Sequence, residues 1–401
     1  MRILHLIPYM HPSAGGPPVV VDRWCVQLQR LGVDAEVLTT DAYAEASDTA
    51  WQEHYRSGYP ITVLPCRGRR GFGYSPKTAR LLRTKLNSCD LLHVHNVWSY
   101  CNRLAARLCP IADVPFIVSP HGMLDPHSMG LKPWKKRLYG RVVEFPALRK
   151  ATGLVFTHPE EERLARQTCG KLPAGYVVPL GTEAPPVESR EHLAQIFLTQ
   201  FPSLQDVERI VFLGRLHPKK GLDILLPAFA RVAEVRRAAK LVLVGPGDET
   251  YVNELRRVAQ SLGIMDRVVF TGPLSGRNKW AALAAADVYV LPSYQENFAI
   301  ALVEALRIGT PVVCSRRINI WSDLADAEAA TICELTVDDV ASKVLDLLGD
   351  RASADVQGQR GAVFAAANYT WEKSVDQLAR VYEQVVSCQS SVGRVETDEQ
   401  G

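Results

Sequence analysis

The chain lacks any apolar run of the roughly 18 residues needed to cross a bilayer as a helix, which excludes a helical membrane protein. Its opening, MRILHLIPYMHPSAGG, has one Arg and a short apolar run broken by Pro and His, so it reads as a first β-strand rather than a signal peptide. It also lacks any CxxC pair or Cys/His cluster. The nine cysteines (Cys25, Cys66, Cys89, Cys101, Cys109, Cys169, Cys314, Cys333 and Cys388) are odd in number and scattered, several within apolar runs. That pattern argues against disulfides and zinc, and fits a reducing cytoplasm in which cysteine serves as a small hydrophobe. There is no GxGxxG, which weakens a dinucleotide-binding reading, and no short-period repeat or low-complexity tract. Charge of one sign is scarce too: 46 Lys and Arg against 43 Asp and Glu leave +3, too little to point to nucleic acid. What is present is 401 residues, 47% hydrophobic and 22% charged, the make-up of a soluble enzyme of about two to three domains.

Short Val/Ile/Leu runs alternate with helical patterns through the first half: RILHLIPY, DAEVLTT, DLLHVHNV, PFIVSPH, GLVFTH and GYVVPL. The Pro-rich, polar text at 179–206, PLGTEAPPVESREHLAQIFLTQFPSLQD, reads as a linker. A second alternating series follows: RIVFLGRL, AKLVLVGPG, DRVVFTG, ADVYVLPS, TPVVCS and AATICE. The alternation predicts an α/β protein of two Rossmann-like, doubly wound parallel-sheet halves, residues 1–185 and 206–370. WEKSVDQLARVYEQVV predicts a final helix over 371–388, and the last residues, 389–401, read as a disordered tail. Such sheets bind ligands beyond the carboxyl ends of their strands, on loops that lead into helices. The candidate residues lie on those loops.

After the first strand, Gly15 and Gly16 let the backbone approach a ligand, and Pro17 or Pro18 suits the first turn of a helix whose free amides would face a phosphate or hydroxyl. A plain tight turn explains them equally well. In IVSPHGMLDP, His121 directly follows an apolar run and so stands at a strand's carboxyl end; the alternative is a histidine hydrogen-bonded into its loop. His93 and His95 share one strand face like a metal pair, but with no third ligand or carboxylate in view they read as structural, beside Asn96. Arg215 and Lys220, in RLHPKKGLDILL, form a diphosphate clamp ahead of a helix, or else a solvated basic turn. In PSYQENFAIALVEALRIGTPVVCS, Ala299 to Ile308 is apolar on nearly every side, as a buried helix is, yet Glu304 lies in its middle and Glu296 just before it. Asn297, Phe298 and Ala299 are expected to form its first turn. A buried carboxylate needs a partner. Eight helical residues would separate the two acids by roughly 12 Å, too far for one proton-transfer target and suited to gripping two parts of a polyhydroxylated ligand. With the basic clamp, the sum describes a nucleotide diphosphate sugar.

The E-x7-E pattern of PSYQENFAIALVEALRIGTPVV, with FLGRLHPKKGLDILLPAF and VSPHGMLDP, resembles the retaining glycosyltransferases of family 4. The resemblance covers Met1 to about residue 386 and implies the GT-B fold, two facing Rossmann-like domains with the active site in the cleft between them. It implies that Glu304 holds the ribose hydroxyls, Glu296 faces the transferred sugar, and Arg215 and Lys220 neutralise the diphosphate. His121 would contact the sugar near the reacting carbon, with Gly16 against the diphosphate or the acceptor. FTGPLS matches the base-contacting region through Thr271 to Leu274. The final helix resembles one that crosses back to the N-terminal domain. One departure stands out: members often carry glycine after the Phe of this motif, where this chain has Ala299.

No N-terminal carboxylate reads as a nucleophile, so a double displacement is not supported. The resemblance implies instead a front-face substitution with retention, and with no DxD motif no metal or other cofactor is expected. The basic, amphipathic stretch LKPWKKRLYGRVVEFPALRK (131–150) contains Lys132, Lys135, Lys136, Arg137, Arg141, Arg149 and Lys150. It suits an anionic membrane surface or, equally, a solvated face. The expected protein is thus a cytoplasmic hexosyltransferase, peripheral on the inner face of the plasma membrane. Its expected partners are a nucleotide-sugar donor and a saccharide or polyprenyl-diphosphate-linked saccharide acceptor of bacterial surface-polysaccharide assembly, with no nucleic acid. Competing readings are a nucleotide-sugar epimerase or soluble-acceptor transferase, a noncatalytic nucleotide-sugar-binding subunit, and an NAD-dependent dehydrogenase.

Overall fold

The computed structural model describes residues 1–44, 48, 50–130 and 133–395. Two compact units emerge, Met1–Leu180 with Trp371–Gly401, and Gly181–Thr370. Lys132 and residues 396–401 of the expected tail lie outside the described residues.

The first unit holds seven parallel strands: β1 (Arg2–Leu6), β2 (Asp34–Thr40), β3 (Ile61–Leu64), β4 (Leu91–His95), β5 (Phe116–Ser119), β6 (Gly153–Phe156) and β7 (Ala174–Val177). Their order is β3-β2-β1-β4-β5-β6-β7. Every residue of β4, β5 and β6 is buried, the mark of a sheet covered on both faces. β3 was not among the expected strands. It is a four-residue edge strand, mostly half-buried, and its sequence gives only ITVL to read. The C-terminal helix belongs to this unit: it runs Trp371–Val395, past the expected end at 388, and pins itself through a hydrogen bond from Trp24 Nε1 to Ser374 Oγ of 3.0 Å.

The second unit has six parallel strands: β8 (Glu208–Leu213), β9 (Ala239–Val244), β10 (Val268–Gly272), β11 (Val288–Leu291), β12 (Val312–Ser315) and β13 (Thr331–Cys333). Their order is β10-β9-β8-β11-β12-β13. The stretch read as a linker contains an 11-residue helix, Arg190–Gln200, built into this unit. Its Arg190 donates to the carbonyls of Ala284, Ala286 and Gly309 at 2.8–3.1 Å, a cation set against carbonyls at or just beyond the carboxyl ends of two helices.

In each unit the strand order reverses once, between β1 and β4 and between β8 and β11. Loops after these strands diverge to opposite faces and leave a crevice, the standard ligand position in open α/β sheets. None of the nine cysteines is in a disulfide, and six are buried, in keeping with cysteine as a small hydrophobe. No helix among the described residues is long and apolar enough to cross a membrane.

Candidate active site

The second unit's crevice is built from the loops after β8 and β11. The β8 loop turns at Gly221 (φ +71°), where a Cβ would come within 1.9 Å of the Pro292 carbonyl oxygen, so glycine permits the two loops to touch. The Tyr294 amide then donates to the Lys219 carbonyl at 2.9 Å, and Tyr294 OH donates to Asp223 at 2.6 Å. From the other side, the loop after β12 fixes Glu296: its amide donates to the Arg317 carbonyl at 3.1 Å, and its carbonyl accepts from the Asn319 amide at 3.1 Å.

That framework sets Lys220 Nζ 2.6 Å from Glu296 Oε1. Both side chains are largely withdrawn from solvent. Burial pushes the Glu296 carboxyl up, and the charges of Lys220 and Lys219 outweigh it, so its pKa ends below the ordinary value. Arg215 is exposed, with no hydrogen-bond or ion-pair partner among the described residues. Of the two expected clamp residues, one is therefore paired and one is open.

Glu304 lies buried in the helix Ile300–Arg307, and its partner is a residue that sequence reading missed. Lys279 Nζ donates to Glu304 Oε1 at 2.5 Å. Burial pushes this carboxyl up and Lys279 offsets only part of that, leaving the pKa above the ordinary value. Lys279 sits on the helix Gly276–Ala284, which follows closely on Thr271–Leu274, the end of β10 and the start of the loop after it. The buried Tyr289 phenol on β11 lies within electrostatic reach of both acids: burial first, then Glu296 and Glu304, push it far above its ordinary range.

Asn297 to Ala299 do not form a helical turn. Asn297 Oδ1 accepts from Asn319 Nδ2 at 3.1 Å, Phe298 packs edge-on against Tyr369 with centroids 5.0 Å apart, and Ala299 caps the helix at φ +61°, ψ +65°. That left-handed conformation is natural for glycine and costs alanine about 1 kcal/mol. In the same loop Gln295 is buried with its side-chain amide atoms unpartnered among the described residues.

In the first unit, a helix does start at Gly16, with proline in its first turn, and a Cβ on Gly16 would meet nothing within 4 Å. His121 follows β5 at φ +50°. Its loop is clamped by buried Glu161, another residue missed in the sequence: Oε1 accepts from the Gly122 amide at 2.6 Å, and Oε2 from the Thr157 amide and hydroxyl at 2.7 and 2.9 Å. His93 and His95 do gain a third imidazole, His5, whose strand pairs with theirs in register His5↔His93. Ligand atoms of His5, His93 and His95 lie within 4.8 Å of one another, the spacing of a potential metal site. Both ring nitrogens of His93 and of His95 are otherwise engaged. His93 bonds Tyr382 OH (2.7 Å) and Ser119 Oγ (2.8 Å), and His95 bonds His5 (2.9 Å) and His121 (3.1 Å).

The architecture is that of solved GT-B glycosyltransferases. Over 96% of this chain it superposes on all of the Anabaena protein HepE, solved in complex with UDP, with a TM-score of 0.78 at 19% identity. Sucrose-phosphate synthase from Thermosynechococcus elongatus, covered in full by 97% of this chain, gives 0.74 at 21%. Residues 199–364 match the glycosyl transferases group 1 family, and residues 15–181 match a glycosyl transferase 4-like domain. It is 28% identical over 407 residues to the phosphatidyl-myo-inositol mannosyltransferase of Mycobacterium leprae, spanning 98% of this chain and 99% of that one. To the D-inositol 3-phosphate glycosyltransferase of Xylanimonas cellulosilytica it is 27% identical, with 96% of each chain covered. The protein is a glycosyltransferase.

Proposed function

We propose that this glycosyltransferase moves a hexose, with retention, from a nucleotide diphosphate sugar to a saccharide or polyprenyl-diphosphate-linked saccharide acceptor in bacterial surface-polysaccharide assembly. The observation that carries the donor half is the pair of lysine–glutamate contacts, Lys220–Glu296 and Lys279–Glu304, on the helix-leading side of β8, β10 and β11. Each buried carboxylate is paired with a lysine and keeps acceptor capacity for hydroxyls. Glu304 takes the ribose, with Lys279 holding the carboxylate in place, and Thr271 to Leu274 meet the base. Glu296 faces the sugar beside Asn297, Phe298 and Ala299. Solved relatives of this fold hold UDP and UDP-glucose, in keeping with such a donor.

As the sugar–phosphate bond loosens, charge grows on the departing diphosphate. Arg215 and Lys220 stabilise that charge, and the leaving phosphate oxygen takes the acceptor's proton, so no metal is needed. Gly16 leaves room for the diphosphate or acceptor, and His121 contacts the transferred sugar. A phosphatidylinositol-modifying relative supports a lipid-borne acceptor. The test of the reaction is the anomeric configuration of the product by NMR, with a saccharide acceptor and EDTA present: retention without metal is expected, and inversion or a strict Mg²⁺ requirement overturns it.

Attachment to an anionic membrane surface has its own support. Over the helical stretch 133–148, Trp134, Leu138 and Val142 recur every fourth residue and are 62–66% exposed, beside exposed Arg137 and Arg141. An apolar stripe edged by cations inserts among anionic headgroups. Co-sedimentation with vesicles should rise with anionic lipid and fall in a Trp134→Ser/Leu138→Ser variant; no lipid dependence removes this part.

A further inference from the structure

His121 is the end of a chain of imidazoles. His5 Nδ1 lies 2.9 Å from His95 Nε2, and His95 Nδ1 lies 3.1 Å from His121 Nε2. His5 and His95 are fully buried, and Trp24 lies against the rings of His93, His95 and His121 at centroid distances of 5.7–6.4 Å. At the far end, His5 Nε2 is buried with no hydrogen-bond partner among the described residues. We propose that His95 is a positioning residue that holds His121 with its proton on Nδ1, and that His5 in turn holds His95.

A neutral imidazole has one N–H and one bare nitrogen, and the bond made by one nitrogen decides which carries the proton. With all three rings neutral the chain can run in only two directions. If His121 donates from Nε2, then His95 donates to His5, and His5 is left with an N–H buried against no acceptor. If His5 donates from Nδ1, His95 donates from Nδ1 to His121, and the buried end is a bare nitrogen. Orphaned buried N–H groups are the rarer of the two defects, so the chain runs from His5 outward. His121 is left with Nδ1–H, a hydrogen-bond donor beyond the carboxyl end of β5.

Neutrality is secured by burial, which lowers His5 to about 3 and His121 to about 4. Burial, then the neighbouring imidazoles, lower His93 and His95 too. The Tyr382 phenol against His93 is pushed far up by burial and by Cys25, and is therefore neutral as well. The consequence deepens the reading of His121 as the sugar contact: a fixed donor suits a hydroxyl oxygen of the donor sugar, and a flipping ring would not. A metal at His5, His93 and His95 is the competing use of the same nitrogens.

The test is nitrogen NMR on the intact, ligand-free protein labelled in histidine, which separates protonated from bare ring nitrogens. The expected result is Nδ1–H at His5, His95 and His121, with His121 turning to a mixture of tautomers in His95→Phe. Nε2–H at His121, or an unchanged His121 in His95→Phe, overturns the proposal. So does equimolar Zn²⁺ shifting His5, His93 and His95 together. The wild-type spectrum needs no variant to fold and no donor sugar, so it stands whatever His121→Phe does to turnover.

Discussion

Lys220 Nζ donates to Glu296 Oε1 at 2.6 Å, so the lysine proposed to hold the diphosphate is paired with the acid proposed to face the sugar. The pair orients both groups before a donor arrives and leaves each with further hydrogen-bonding capacity, the preorganisation that favours charge stabilisation in a transition state. Lys220→Ala and Arg215→Ala should each lower turnover by about 100-fold or more, as loss of an electrostatic stabiliser does. Steady-state rates with saturating donor check this, and near-normal rates in both variants contradict it.

Lys279 and Glu304 couple the fold to the site. Removing one partner of a mostly buried pair leaves the other uncompensated and costs about 3 kcal/mol, whereas replacing both with apolar groups can be neutral. Glu304→Leu alone should lower both the melting temperature and donor affinity. The Glu304→Leu/Lys279→Met double variant should recover most of the melting temperature while donor affinity stays low. Recovery of affinity would show that the pair serves packing alone.

Glu144 offers a pH test. It lies buried, its Oε1 accepting from the Trp98 amide at 2.9 Å and from Asn102 Nδ2 at 3.0 Å. Burial pushes its pKa to about 7, against the hydrogen bonds from Trp98 and Asn102. A carboxyl raised in the native state binds its proton more tightly there. Its stabilising contribution is full below about 4.5 and is lost as pH rises through about 7, a change of about 3 kcal/mol. The melting temperature of wild type relative to Glu144→Gln should therefore fall between pH 5 and pH 8; a difference independent of pH contradicts this.

Ala299 occupies a left-handed conformation at φ +61°. Glycine there relieves about 1 kcal/mol of strain and loses part of that to the greater freedom of its unfolded chain. Ala299→Gly should raise the melting temperature slightly, and a fall by several degrees would show that the methyl packs favourably.

Much of this was legible in the sequence because buried parallel strands are near-continuous apolar runs: all six expected strands of the second series are present, from RIVFL to TIC. The short edge strand at Ile61–Leu64 carries little such signal. The helix Arg190–Gln200 escaped notice because prolines flank it and its apolar residues do not gather in one stripe; what anchors it is Arg190, through carbonyls about a hundred residues away in the chain. Glu304 announced its need for a partner, but Lys279 lies 25 residues earlier on another helix and nothing local marks it. The third histidine was hidden likewise, since only sheet register sets His5 beside His93.

The central claim is that Lys220 and Glu304 hold a nucleotide diphosphate sugar. Calorimetric titration of UDP-, GDP-, ADP- and dTDP-hexoses in the presence of EDTA tests it most directly. The account predicts that at least one of them binds, and that Lys220→Ala and Glu304→Ala each weaken that donor by at least about tenfold, some 1.4 kcal/mol. Binding of none, or unchanged affinity in both variants, would contradict it.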